Sequence, residues 1–197
     1  MGNREIVLSQ IYNNISVQRY TTDMGFKVLM ESVDANLFLV PRNRRQYCWN
    51  KKKVEELAAS LIRGLPIPPI YTFRSETGRL EVIDGQQRLL SLYFYYIGKF
   101  FKSSKNIPFE YKDLDIEHIS NFEAAWEEKY HNITSTQFFM ELNEEKYDIS
   151  YANLPVEIRR RIDCRTIPIT EIKIADGIDA ESTLHKIFTN LNCRKEE

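Results

Sequence analysis

The stretch Glu81-Val82-Ile83-Asp84-Gly85-Gln86-Gln87-Arg88 decides how the rest of the chain is read. Leu80 to Ile83 has the composition of a short strand. Asp84-Gly85 is a turn, and a helix opens directly behind it over Gln86 to Ile97. Leu89, Leu90, Leu92, Tyr93, Phe94 and Tyr96 make that helix apolar nearly all round, which predicts a central, buried position, and Gly98 stops it. The first N–H groups of a helix lack intrahelical partners, and its dipole places partial positive charge there. Gly85 permits a tight turn and close approach of a ligand. Arg88 adds a guanidinium fork suited to phosphate oxygens, and Gln86 and Gln87 add neutral donors. Asp84 is the anomaly, since a carboxylate repels phosphate. It caps the helix, pairs with Arg88, holds a metal on bound phosphates, or acts as a base. Physics alone also allows a plainer reading, an ordinary helix cap with Arg88 solvating the helix end.

Upstream, Ser75 to Gly78 reads as a turn that joins Leu80–Ile83 to a strand over Ile70 to Phe73, a hairpin with Gly78 near its tip. Leu65-Pro66-Ile67-Pro68-Pro69 is rigid and extended. Asn50 is a good N-cap for a helix over Lys51 to Arg63, with Val54, Leu57, Ala58, Leu61 and Ile62 on one face and Gly64 as its stop. Leu37 to Val40 reads as a buried strand ended by Pro41, and Met24 to Val33 as a helix. Residues 3 to 20 read as a helical or irregular lead-in. Downstream, Lys99 to Tyr111 has room for a short strand. Asp115 to Glu144 reads as helical, with Phe122, Trp126, Tyr130, Phe138, Phe139 and Leu142 as its apolar set and a break near His131 to Ser135. Leu154 to Ile162 reads as a short helix with Pro155 at its first position, Arg165 to Ile174 as a strand, and Asp179 to Leu191 as a last helix. The division expected is a lead-in over 1–21, a compact α+β core over 22–104, and a mainly helical extension with one late strand over 105–197.

Composition removes several function classes. The 197 residues are 43% hydrophobic and 28% charged, as in an ordinary globular protein, and 11 Tyr and 11 Phe supply core material. The net charge of −1 argues against tight non-specific nucleic-acid binding by the whole surface, although basic patches at 42–53 and 159–165 leave local contacts open. Cys48, Cys164 and Cys193 are widely spaced, and neither they nor His118, His131 and His185 show a metal-site pattern. The polar N-terminus predicts no signal peptide, and no apolar run approaches the ~20 residues of a membrane span. The expectation is a cytoplasmic protein without a membrane partner.

A second cluster, Pro41-Arg42-Asn43-Arg44-Arg45-Gln46-Tyr47-Cys48-Trp49, combines cations with aromatics, a composition that stacks a base and holds phosphate. The plainer alternative is that Trp49 packs on the next helix. Val40 through Trp49, Gly64-Leu65-Pro66-Ile67-Pro68-Pro69-Ile70-Tyr71 and Val82-Ile83-Asp84-Gly85-Gln86-Gln87-Arg88-Leu89 resemble, in order and spacing, the N-terminal domain of GmrSD-type restriction proteins, which belongs to the ParB/sulfiredoxin-like superfamily. The resemblance covers roughly 24–98 and continues weakly to Ile187-Phe188-Thr189-Asn190-Leu191-Asn192. In place of an aromatic-Gln-Arg triplet this chain has Asn43-Arg44-Arg45, and Asn190 stands where an arginine is expected. The glycines expected after that element are absent, and the expectation is therefore a chain truncated relative to the family.

The resemblance implies a small mixed sheet with packed helices, followed by the helical extension. It implies a regulatory domain of a modification-dependent restriction or phage-defence protein that binds, and in some members hydrolyses, nucleoside triphosphates with Mg2+. Carried over, the nucleotide-binding residues are Arg45, Tyr47, Gly85, Gln86, Gln87 and Arg88. Asp84 and Arg88 are the catalytic candidates, and Asp84 is the metal ligand. The partners implied are a nucleotide, DNA, and an HNH-type nuclease domain that is separate or deleted. The competing expectation is a non-enzymatic module that binds DNA or a nuclease partner, with Asp84–Arg88 as a structural turn. A nuclease in its own right is disfavoured, because no acidic cluster with a lysine sits near Asp84 in sequence.

Overall fold

A computed structural model describes residues 17–40, 47–101, 133–175 and 179–193. The fold is mixed α+β. Its main sheet is five-stranded, built from β1 (Val17–Gly25), β2 (Phe38–Leu39), β3 (Ile70–Arg74), β4 (Leu80–Asp84) and a late strand, Thr166–Ile174, in the order β1, late strand, β3, β4, β2. The late strand pairs antiparallel with β1 and parallel with β3, while β4 pairs antiparallel with β3 and parallel with β2. Arg74 on β3 clamps the late strand through a two-pronged contact with Glu171, Nε to Oε1 at 2.8 Å and Nη2 to Oε2 at 2.6 Å.

Helix α1 (Phe26–Asp34), α2 (Lys51–Arg63) and α3 (Gln86–Ile97) share one core with the sheet. In α3 every residue from Leu89 to Tyr95 is buried, as its all-round apolar pattern predicts. Phe26, Leu29 and Met30 of α1, Leu61 of α2, and Ile70, Val82, Ile167 and Ile169 of the sheet belong to the same buried cluster. Asn50 caps α2 by accepting from the Lys53 N–H at 3.0 Å, and Gly64 ends α2 in the left-handed region. Both ends are where the residue types place them.

Beyond α3 follow β5 (Lys99–Phe101), β6 (Ile133–Ser135), β7 (Phe139–Leu142), β8 (Glu145–Asp148), a turn of 3-10 helix at Tyr151–Asn153, α4 (Val156–Asp163), the late strand β9 (Thr166–Ile174) and α5 (Ala180–Cys193). β5 pairs with β6 and β7 with β8, both antiparallel. Helix α5 lies against β4. No helix among the described residues is long and apolar enough to cross a membrane.

Several elements differ from the sequence expectation. Val17 to Tyr20 is strand, not helical or irregular lead-in, and the strand runs on to Gly25. Val17, Tyr20, Thr21 and Thr22 favour extended backbone. Because residues 17–23 are exposed on both faces, no apolar alternation marks the strand. Within Asp115–Glu144, the described part from Ile133 onward holds no helix, and Ile133–Ser135 and Phe139–Leu142 are strands. The spacing of Phe138, Phe139 and Leu142 mimics a helical stripe, but Asn143 and Glu144 take φ values of 52° and 67° and close a two-residue hairpin turn between Leu142 and Glu145. Phe122, Trp126 and Tyr130 lie outside the described residues, as does most of the expected lead-in. Pro155 is the N-cap of α4 rather than its first residue.

The hairpin turn generates a stability test. Glu144 holds a left-handed conformation that costs a side-chain-bearing residue about 1 kcal/mol, and glycine adopts it freely. Glu144→Gly should raise the urea midpoint, with a gain of about 0.5–1 kcal/mol and an unchanged denaturant slope.

Candidate functional site

Strand β4 delivers Asp84 and Gly85 to the start of α3. Gly85 sits at φ 94° and ψ 6° and is the N-cap residue, and no side chain caps the helix there. Its carbonyl accepts the Leu89 N–H at 2.9 Å. A Cβ on Gly85 would stand 3.0 Å from Arg88 Nη2, 3.1 Å from Ile70 Cα and 3.2 Å from Ile70 Cγ1. Glycine is therefore required twice here, by the backbone angle and by the approach of β3.

The position a Cβ would take on Gly85 is bordered by Ile70 and by the Arg88 guanidinium. Arg88 folds back across the turn. Its Nη2 donates to the Pro69 carbonyl at 2.8 Å and meets Asp84 Oδ2 at 3.3 Å. The two side chains are 13% and 12% exposed, so this ion pair is largely removed from water. Of the roles that the sequence left open for Asp84, pairing with Arg88 is the one this arrangement displays. The pair is incomplete, because Arg88 Nε is buried without a hydrogen-bond partner. A buried guanidinium nitrogen left in this way is a strained element of a polar network.

Gln87, in the first turn of α3, accepts the Cys48 backbone N–H on its Oε1 at 2.9 Å. That bond brings the end of the 41–49 segment to the helix start. The adjacent Tyr47 is 1% exposed. Its hydroxyl shares a 2.7 Å hydrogen bond with Ser91, and its ring meets Phe94 edge-on at 5.3 Å and packs against Phe100 and Phe101. A ring so enclosed anchors residues 47–49 to α3 rather than offering a face for stacking a base. Burial drives the Tyr47 phenol far above the ordinary tyrosine range, outweighing the opposite effect of its bond to Ser91. Trp49 packs partly buried against the core with Lys53 over its ring at 5.8 Å, as the plainer alternative anticipates. Arg45 lies outside the described residues, together with Pro41 to Gln46.

Gln86, Gln87, Arg88 and Asp84 thus surround one turn, all partly buried. Pro69, Ile70 and Ser91 belong with them, although the sequence reading singled out none for this purpose. Ser91 carried a signal, as a serine hydroxyl set among buried apolar neighbours needs a partner. Pro69 and Ile70 act through backbone and shape, which leave none. Among the described residues, no group of three or more His, Cys, Asp or Glu side chains could hold a metal ion. Mg2+ is commonly held by one or two carboxylates together with substrate phosphates. Asp84 is the one carboxylate at this turn, and its Oδ2 is turned toward Arg88. Two clefts formed by described residues lie elsewhere, one between α2 and the β7–β8 hairpin and one between Gly64–Ile67 and Cys164–Pro168.

The family model described as GmrSD restriction endonuclease, N-terminal domain, matches residues 26–197. No curated protein and no solved structure gives a match.

Two outcomes follow from this geometry. Gly85→Ala should lower stability by about 1–3 kcal/mol in chemical denaturation, since a Cβ both strains the turn and meets Ile70. Tyr47→Phe should cost about 1–2 kcal/mol at neutral pH by stripping the buried Ser91 hydroxyl of its partner. The folded-state phenol of Tyr47 ionises at higher pH than the unfolded one, whose pKa is 10.0. Its contribution to stability is complete below that value and is lost progressively as pH rises from there toward the higher folded-state value. Denaturation midpoints above pH 10.0 should therefore fall less steeply in Tyr47→Phe than in the unaltered protein.

Proposed function

The chain belongs to the family of GmrSD restriction endonuclease N-terminal domains, and we propose that within its restriction system it is the part that binds a nucleoside triphosphate. The observation that carries this reading is Arg88, folded over an uncapped left-handed helix start with one guanidinium nitrogen buried and unbonded. A phosphate group at that start would meet the positive end of the α3 dipole. It would also compete with Asp84 for Arg88. The Asp84 contact at 3.3 Å is long for a charge-assisted hydrogen bond, so the latch can exchange.

The division of labour is then electrostatic. Arg88 and the helix start take the phosphate charge. Gln87 couples the turn to Cys48, and Tyr47 fixes that segment to α3. Mg2+ arriving with the nucleotide would offset phosphate charge, with Asp84 as its protein ligand once Arg88 turns away. Arg45, carried over from the family pattern, is proposed as a second phosphate contact, and hydrolysis with Asp84 and Arg88 as the acting groups is the accompanying proposal. The setting proposed is the cytoplasm, where nucleotide binding would control a nuclease domain that acts on DNA.

Calorimetry of the full chain with ATP, GTP, CTP and UTP in the presence of Mg2+ tests the reading. At least one nucleotide should release heat, and Arg88→Gln should weaken it about tenfold or more by removing a charged hydrogen bond. Asp84→Asn separates the roles of the carboxylate. Tighter binding is expected if Asp84 competes with phosphate for Arg88, and loss of the Mg2+ dependence marks it as the metal ligand. Flat heats for all four nucleotides with an intact circular-dichroism spectrum would defeat the proposal. A structural turn would remain, and gel shifts at low salt would then test DNA as the ligand.

A further inference from the structure

Strand β1 forms one edge of the main sheet. Among the described residues it pairs with β9, and no strand lies on its other side. Nine residues long, it runs in unbroken register from Val17 opposite Ile174 to Gly25 opposite Thr166. Proteins blunt such edges with proline, bulges, shortness or charged side chains, lysine above all. β1 has no proline and no bulge, and its two charges, Arg19 and Asp23, cancel. It exposes residues 17–23, with Tyr20 at 55%.

Which backbone groups point outward follows from one bond. The Phe26 N–H donates to the Arg165 carbonyl at 2.7 Å, continuing the register in which Gly25 faces Thr166. Hydrogen-bonded and non-bonded pairs alternate along an antiparallel ladder. Gln18, Tyr20, Thr22 and Met24 therefore turn their backbone groups toward β9. Those of Val17, Arg19, Thr21, Asp23 and Gly25 face away from the sheet.

We propose that β1 is the interface between two copies of this chain, paired antiparallel about a two-fold axis through Thr21 into one continuous sheet. That axis places Val17 opposite the second copy's Gly25 and Arg19 opposite its Asp23, with Thr21 opposite itself. Every outward-facing residue of β1 then meets an outward-facing partner. No other symmetric register overlaps the whole strand, and the same register sets Arg19 against Asp23 twice on one face of the sheet. Opposite charges directly across a strand pair stabilise it and like charges destabilise it. Length, backbone polarity and charge thus select one arrangement. The inference is independent of the nucleotide reading, since β1 contributes nothing to the Asp84–Arg88 turn.

Sedimentation equilibrium of the full chain should give twice the chain mass of 23.3 kDa. Arg19→Asp, which sets a carboxylate against Asp23 at both pairs, should raise the dimer dissociation constant by roughly tenfold or more. The double variant Arg19→Asp/Asp23→Arg should return it to near the starting value. Both positions are exposed, and circular dichroism checks that each variant is folded. A chain that stays monomeric at its highest soluble concentration overturns the proposal, and the edge is then covered by the chain itself or by solvent. A dimer indifferent to Arg19→Asp, or one that the double variant does not restore, overturns it equally.

Discussion

Much of the structure depends on the close approach of Gly85 to Ile70. Strand β4 must turn into α3 without leaving β3, and the turn is tight enough that no Cβ fits between the two backbones. The contact settles the direction in which α3 leaves the sheet. That direction carries the apolar run from Leu89 to Tyr95 into the middle of the core. Helices α1 and α2 then pack against a helix that has no solvent-facing stripe of its own. The Arg88 side chain rivets the same junction from above, joining α3 to the carbonyl that precedes β3.

A second junction is built on the first. The hydroxyl pair of Tyr47 and Ser91, the Gln87–Cys48 bond and the ring contacts among Tyr47, Phe94, Phe100 and Phe101 hold the approach to α2 on one side of α3. Motion of the first turn of α3 would therefore be transmitted to residues 47–50 and to the capped start of α2. An anion that drew Arg88 from Asp84 would act on both junctions at once. This coupling gives a binding event at one turn a route to the surface without a large rearrangement of the core.

The central unit was readable because its signals are local. Asn50 and Gly64 bracket α2, Gly98 ends α3, and the hairpin of β3 and β4 turns at Gly78. In each case a residue type answers a backbone requirement. What escaped was set by partners distant in sequence. β1 is exposed on both faces and owes its strand character to β9, more than a hundred residues later. The helical reading of Phe138, Phe139 and Leu142 failed because only the pairing across Asn143-Glu144 separates a hairpin from an amphipathic turn. At the site, the sequence marked Asp84, Gly85, Gln87 and Arg88 as neighbours of one turn. It did not reveal that Arg88 would fold back onto Pro69, because a carbonyl acceptor has no residue type. Tyr47 looked like a stacking platform from its arginine-rich company, but hydrophobic burial and the hydroxyl of Ser91 claim the ring.

The position of β9 also constrains how the molecule comes to exist. The strand made last of the five is inserted between the first and the third, and Arg74 waits for Glu171 across that gap. Contacts of such long sequence separation slow folding, since the entropy of closing the intervening chain must be met before they form. During synthesis, β3, β4 and α3 emerge as a local group able to associate early. β1 lacks its neighbour β9 until Ile174 has left the ribosome. Through most of translation the sheet is therefore open along a side that the finished protein closes, and the order of synthesis leaves its longest strands as the final step of assembly.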